Sequence, residues 1–169
     1  MNWPSKCKVI FERALSLKYY PCDLLFIHRD AERESREKRA REIRQAVKII
    51  QPAVKPPFIC VIPVRMQEAW LLFDEAAIRW AAGNSHGRQA LHLPKRQDLE
   101  NLPDPKETLH QLLCKASGLK GRRLKKFHVN QGVHRVVEYI KDFSSLRELS
   151  AFSALEKEVR EVVRKWSSD

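Results

Sequence analysis

Apolar residues recur at helical spacing near the start of the chain. Val9, Ile10, Ala14 and Leu17 mark one face of a helix predicted over residues 6–19, which Pro21 interrupts. The run from Asp23 to His28 is patterned differently. Leu24, Leu25, Phe26 and Ile27 are consecutive, with polar residues on both sides, which predicts a strand buried on both faces as in a parallel sheet. From Arg29 to Lys48 the chain holds eight Lys/Arg and five Asp/Glu. Ala40, Ile43, Val47 and Ile50 sit three or four apart within and just after it, so this is a helix with a narrow apolar stripe. Glu34–Lys38 and Glu37–Arg41 have the i,i+4 order that supports a helix, and Pro52 ends it. After a Pro-rich connector at 54–57, Phe58 to Val64 is apolar and β-branched almost throughout, a second strand. Strand, helix and strand in this order make one βαβ unit.

The rest of the chain has helical periodicity. Met66, Ala69, Trp70, Phe73, Ala77, Trp80 and Ala81 predict one helix over residues 66–82, with Trp70 and Trp80 in the core and Gly83 as the stop. A polar loop is expected to about residue 103. Asp104-Pro105-Lys106-Glu107 then opens a helix, with Asp104 at N-cap, Pro105 at N1 and Glu107 at N3. Leu109, Leu112, Leu113 and Ala116 form its face, and Gly118 ends it. Residues 120–128 read as a basic loop. Helices follow over Val133 to Ile140 and Ser144 to Leu149, and Phe152, Leu155, Val159, Val162, Val163 and Trp166 mark the face of a last one. The expected class is α/β, with an α/β region over 1–83 and a helical region with the basic loop over 84–169. An isolated two-stranded sheet is marginal in water, so further strands are expected from outside these segments.

Composition narrows the class. A chain of 169 residues with 43% hydrophobic residues can build a domain core. The longest apolar runs are about seven residues, against the roughly 20 of a membrane span. The segment MNWPSKCK has neither a long apolar stretch nor a cleavage motif, so a cytoplasmic, reducing compartment is expected. Cys7, Cys22, Cys60 and Cys114 form no C-x-x-C pair and are read as free or buried thiols. The net charge of +11 favours an anionic partner, with nucleic acid foremost.

Three groupings carry candidate chemistry. His28-Arg29-Asp30-Ala31-Glu32 lies at the carboxyl end of the first strand, where open α/β sheets bind ligands. Asp30 and Glu32 supply the oxygen ligands that Mg²⁺ prefers; the competing expectation is that Asp30 caps the next helix and Glu32 favours its positive end. Glu68 begins the helix after the second strand, which would bring it near Asp30 and Glu32, or serve that helix start instead. Lys120, Arg122, Arg123, Lys125 and Lys126 crowd into seven positions beside Phe127 and His128, a pattern suited to phosphates and a stacked base. The H-R-D triplet lacks the Asn that a kinase catalytic loop requires, and no phosphate-binding Gly loop, nucleophile elbow or H-E-x-x-H is present.

Arg29-Asp30-x-Glu32 after an apolar strand, with Ile62-Pro63-Val64 and then Glu68-Ala69-Trp70-Leu71-Leu72-x-Asp74, resembles uncharacterised bacterial proteins of a Toprim-like fold related to OLD-type nucleases. Leu102-Pro103-Asp104-Pro105-Lys106-Glu107-x-Leu109 looks like the helical tail of that family, and the likeness covers roughly residues 23–150. It implies a small parallel Toprim-like sheet flanked by helices, and an Mg²⁺-dependent (or Mn²⁺-dependent) nuclease or a degenerate relative. Asp30 and Glu32 would stand in the D-x-D place with Glu for the second Asp, and Glu68 beside them as metal ligand and catalytic group. The family pattern begins with a strand ending in glutamate. Nothing before residue 23 supplies it, because Glu12 lies inside the predicted helix, so that part of the fold is expected outside this chain. The resemblance further implies an ATPase partner protein and a setting in phage defence. A homo-oligomer is compatible with it. The alternative is a non-catalytic subunit that binds nucleic acid or an ATPase.

Overall fold

The computed structural model describes residues 22–32, 34–50 and 56–167. The helix expected over 6–19, Cys7 and most of the connector after Pro52 lie outside the described residues. The chain is mixed α/β: a small parallel sheet, then a mostly helical C-terminal part. Its two compact units are divided after Ile62 and again after Ser153. Unit 1 runs to Ile62 and resumes at Ala154; unit 2 is Pro63–Ser153.

In unit 1, β1 (Leu25–His28) and β2 (Phe58–Val61) pair in parallel, with Leu25 opposite Phe58 and His28 opposite Val61. Leu25 N donates to Pro57 O and Arg29 N to Val61 O, so the ladder extends beyond the strands at both ends. The connection contains α1 (Arg36–Ile50), as the βαβ reading expects. Its stripe of Ala40, Ile43 and Val47 is buried with Ala31, Cys60 and Ile62, and Leu25, Ile27 and Phe58 pack against that cluster. Burying each of the larger side chains, Ile43, Val47 and Ile62, contributes about 1.5–3 kcal/mol. β1 corrects one expectation. Its consecutive apolar residues suggested burial on both faces, yet Leu25 and Ile27 face the core while Phe26 and His28 are exposed. Only β2 is covered on both sides, and Ile59, Cys60 and Val61 are buried.

α6 (Ser150–Trp166) has its first turn in unit 2 and the remainder in unit 1. There Glu158 accepts from Arg36 Nη2 at 2.5 Å and from the backbone N–H of Cys60 at 3.2 Å. Cys60 and its N–H alternate with the ladder positions of β2, so Glu158 satisfies a donor on the strand edge that β1 does not use. Burial pushes the Cys60 thiol above its ordinary value, with Glu158 adding to the effect. Cys22, Cys60 and Cys114 are free thiols, as expected.

Unit 2 begins with a 3₁₀ helix, Gln67–Leu71, and α2 (Glu75–Ala81). These two replace the single helix expected over 66–82. Asp74 accepts from Ala77 N at 2.9 Å, and this N-cap starts a new helix in a new phase. Trp70 stays buried, but Trp80 lies outside the buried set of Ala77, Ile78 and Ala81 and is 55% exposed, against the core position expected of it. The polar stretch to residue 103 contains a further 3₁₀ helix, Arg96–Asn101.

α3 (Pro105–Ser117) starts and stops as its sequence indicates. Asp104 caps it by accepting from Glu107 N at 2.9 Å, and Gly118 ends it with φ 66. The reciprocal half of a capping box is replaced: Glu107 accepts from Gln111 Nε2 at 2.9 Å. α4 (Gly121–Lys125) and α5 (Val129–Tyr139) follow, and α2, α3 and α5 pack together around Ile78, Leu109, Leu113 and Val136. Gly132 lets α5 close on α3: a Cβ there would stand 3.2 Å from Leu113 Cδ1 and 3.6 Å from Phe127 Cζ. Among the described residues no helix is long and apolar enough to cross a membrane.

Candidate functional site

The acidic candidates sit just past β1. Arg29 still belongs to the ladder, so Asp30 is the first residue beyond the carboxyl end of the strand. His28 Nε2 lies 3.3 Å from Asp30 Oδ1. Glu32 is held at φ 59, a left-handed conformation that costs a non-glycine residue about 1–2 kcal/mol. Arg39 offsets that cost. Its guanidinium is buried, donates from Nε to Ala31 O at 3.3 Å, and pairs with Glu32 at 3.3 Å and Glu42 at 3.0 Å. Arg29 closes the network on Glu42 from the strand side. The Arg39 hydrogen bond, with Arg29 nearby, holds the Glu42 carboxyl below its ordinary value.

Neither acid caps α1. Ser35 does so, accepting from Lys38 N at 3.2 Å, which overturns the expectation of Asp30 as the cap. Glu68 stands in the first turn of the 3₁₀ helix in unit 2, whereas Asp30 and Glu32 belong to unit 1. For a divalent ion to engage the Glu32 oxygen that faces Arg39, it would have to exchange that guanidinium for itself. Among the described residues no group of three or more His, Cys, Asp or Glu is gathered as a metal site would gather them. Arg39 is the residue that sequence reasoning missed. Nothing in a run so rich in charge distinguishes the one arginine that turns inward.

The basic candidates form a helix, not the loop expected. Gly118 and Gly121, both at positive φ, turn the chain out of α3 and into α4. Lys120, Arg122, Arg123, Lys125 and Lys126 are all exposed on α4 and its flanks. Leu124 and Phe127 are their half-buried neighbours, and Phe127 is turned onto Gly132 of α5, away from the base-stacking role expected of it. Among the described residues none of the five cations has an ion-pair partner. Elsewhere Arg29, Arg36, Lys38, Arg39, Arg79 and Arg160 are paired with carboxylates. The contrast has a cause in the sequence: residues 108–137 contain seven Lys/Arg and no Asp or Glu. Lys115 of α3 and Arg135 of α5 complete that span; their signal in the sequence is the absence of acids around them rather than the crowding of cations at 120–126.

No family model, no curated protein and no solved structure matches this chain.

Proposed function

We propose that the chain binds nucleic acid through the phosphate backbone, with α4 as the contact element. The observation that carries this is the set of five exposed cations without carboxylate partners, inside an acid-free span of three helices. A lysine or arginine already paired with a carboxylate has little field left to offer a phosphate. An unpaired one attracts the phosphate and releases a condensed counterion. The mobile-headed Lys and the forked Arg both suit phosphate oxygens. Fluorescence anisotropy with a labelled oligonucleotide tests the reading. Replacing Arg122, Arg123, Lys125 and Lys126 with Ala should weaken binding by orders of magnitude at low salt; unchanged affinity contradicts it.

A second reading keeps the nuclease of Toprim-like resemblance, with an ATPase partner and a role in phage defence. What favours it is the position of Asp30 and Glu32 immediately beyond the carboxyl end of β1, where α/β sheets take their ligands. Asp30 and Glu32 would then hold Mg²⁺ or Mn²⁺, which would polarise the scissile phosphate. Addition of either ion to the protein with a labelled oligonucleotide decides it. Cleavage that Asp30→Asn abolishes while binding persists supports this reading. Binding without cleavage at any metal concentration leaves a non-catalytic binding protein.

A further inference from the structure

Resting on the nucleic-acid reading, a second feature of the same surface bears on which form of nucleic acid it takes. Trp80 of α2 and Tyr139 of α5 stack with ring centroids 5.9 Å apart and planes 30° from parallel. Both are exposed, at 55% and 40%. Two large aromatic rings stacked on each other yet left in water are not what core packing requires, and Val137 of α5 is exposed beside them in the sequence.

The pair stands at the end of a stripe. His128, Gln131, Arg135 and Tyr139 are spaced three, four and four residues apart, so they share one face of α5 and its N-cap, and all four are exposed. That face begins beside Lys126, at the end of α4, and ends at Trp80 and Tyr139. Between Val129 and Tyr139 the axis rises about 15 Å, the reach of a few nucleotides. The stripe carries one carboxylate, Glu138, which neighbours Arg135 at the end away from α4, and Glu75 of α2 is engaged by Arg79 at 2.6 Å.

We propose that Trp80 and Tyr139 form a base-stacking platform at the far end of this positive stripe, and that the nucleic acid bound here is single-stranded. Duplex bases are stacked on one another and present no face to an aromatic ring. An unpaired base does, and every base can use it, so the platform needs no sequence preference. The cations on α4 fix the backbone while the rings take a base about one helix length away.

The test compares oligothymidylate with the same strand annealed to oligoadenylate. Wild-type protein should bind the single strand more tightly, and binding should quench tryptophan fluorescence. Trp80→Ala should weaken single-strand binding about 5- to 150-fold, the range for loss of one stacked base. It should leave duplex affinity and the salt dependence unchanged. Trp80→Phe, which keeps a ring, should restore most of the loss. Equal affinity for both forms, or no effect of Trp80→Ala on the single strand, overturns the platform. If at the same time the α4 alanine variant still loses binding, the phosphate reading survives. If wild-type protein binds neither form, both fall together.

Discussion

Arg39 shows how much one side chain can organise. It ties the carbonyl of Ala31, the carboxylate of Glu32 and that of Glu42 into a single network, and so holds a left-handed turn that a glutamate would otherwise avoid. Removing one partner from such a network leaves a buried guanidinium short of acceptors, which costs more than the net worth of the bond itself. The Glu42 carboxyl is held below its ordinary value of 4.5, chiefly by the Arg39 hydrogen bond. A depressed carboxyl stabilises the fold at pH above its unfolded value, and that contribution is lost as pH falls through the folded value. Glu42→Gln should therefore lower the melting temperature at neutral pH and flatten its decline on acidification below 4.5. Parallel curves for the two proteins across that window would show that Glu42 does not carry this coupling. None of this was legible in the sequence. Asp30 and Glu32 stand out as an acid pair, but the arginine that holds Glu32 is one of several on α1, and only folding turns it inward.

At the scale of elements, local signals served best where they acted alone. Asp104, Pro105 and Gly118 bound α3 because an N-cap acceptor, a fixed φ and a left-handed stop need no help from the rest of the fold. Both strands and α1 were legible from their apolar patterns for the same reason. The segment after Val64 was not. Its apolar residues fit one continuous helical face, but Asp74 caps a new start, and of the residues on that face Ala77 and Ala81 are buried while Trp80 is at the surface. The short helix α4 also escaped notice, since Lys and Arg run equally well in a helix or a solvated loop. A cap supplied from a distance leaves no local signal at all. Glu100, on the 3₁₀ helix Arg96–Asn101, accepts from Ser150 N, Ser150 Oγ and Ala151 N at 3.2, 2.9 and 3.0 Å, and so caps α6 from fifty residues away. Glu100→Ala should destabilise the protein by about 1 kcal/mol, the usual cost of a lost cap, read from the midpoint of denaturant unfolding. A change within error would mean that Glu100 does not cap α6.

For the molecule as a whole, the distribution of charge matters more than its sum. Unit 1 spends its cations on its own carboxylates: Arg29 and Arg39 on Glu42, Arg36 on Glu158, Lys38 on Glu34. Unit 2 collects unpaired ones on α4, within a span, 108–137, that contains no Asp or Glu. The net charge of +11 could be read from the sequence, and so could the crowding of Lys120 to Lys126. Which cations stay unpaired depends on folding, and so does the exposure of the two aromatic rings beside them. If α4 binds phosphates, each contact contributes about 0.7–0.9 to the slope of log affinity against log salt concentration. That slope is the most direct measurement of the central claim. Replacing Arg122, Arg123, Lys125 and Lys126 with Ala should flatten it by about 2–3, with Trp80→Ala as a variant that leaves it in place. A slope unchanged in the α4 variant would contradict the account, and the positive charge of unit 2 would then have no part in binding nucleic acid.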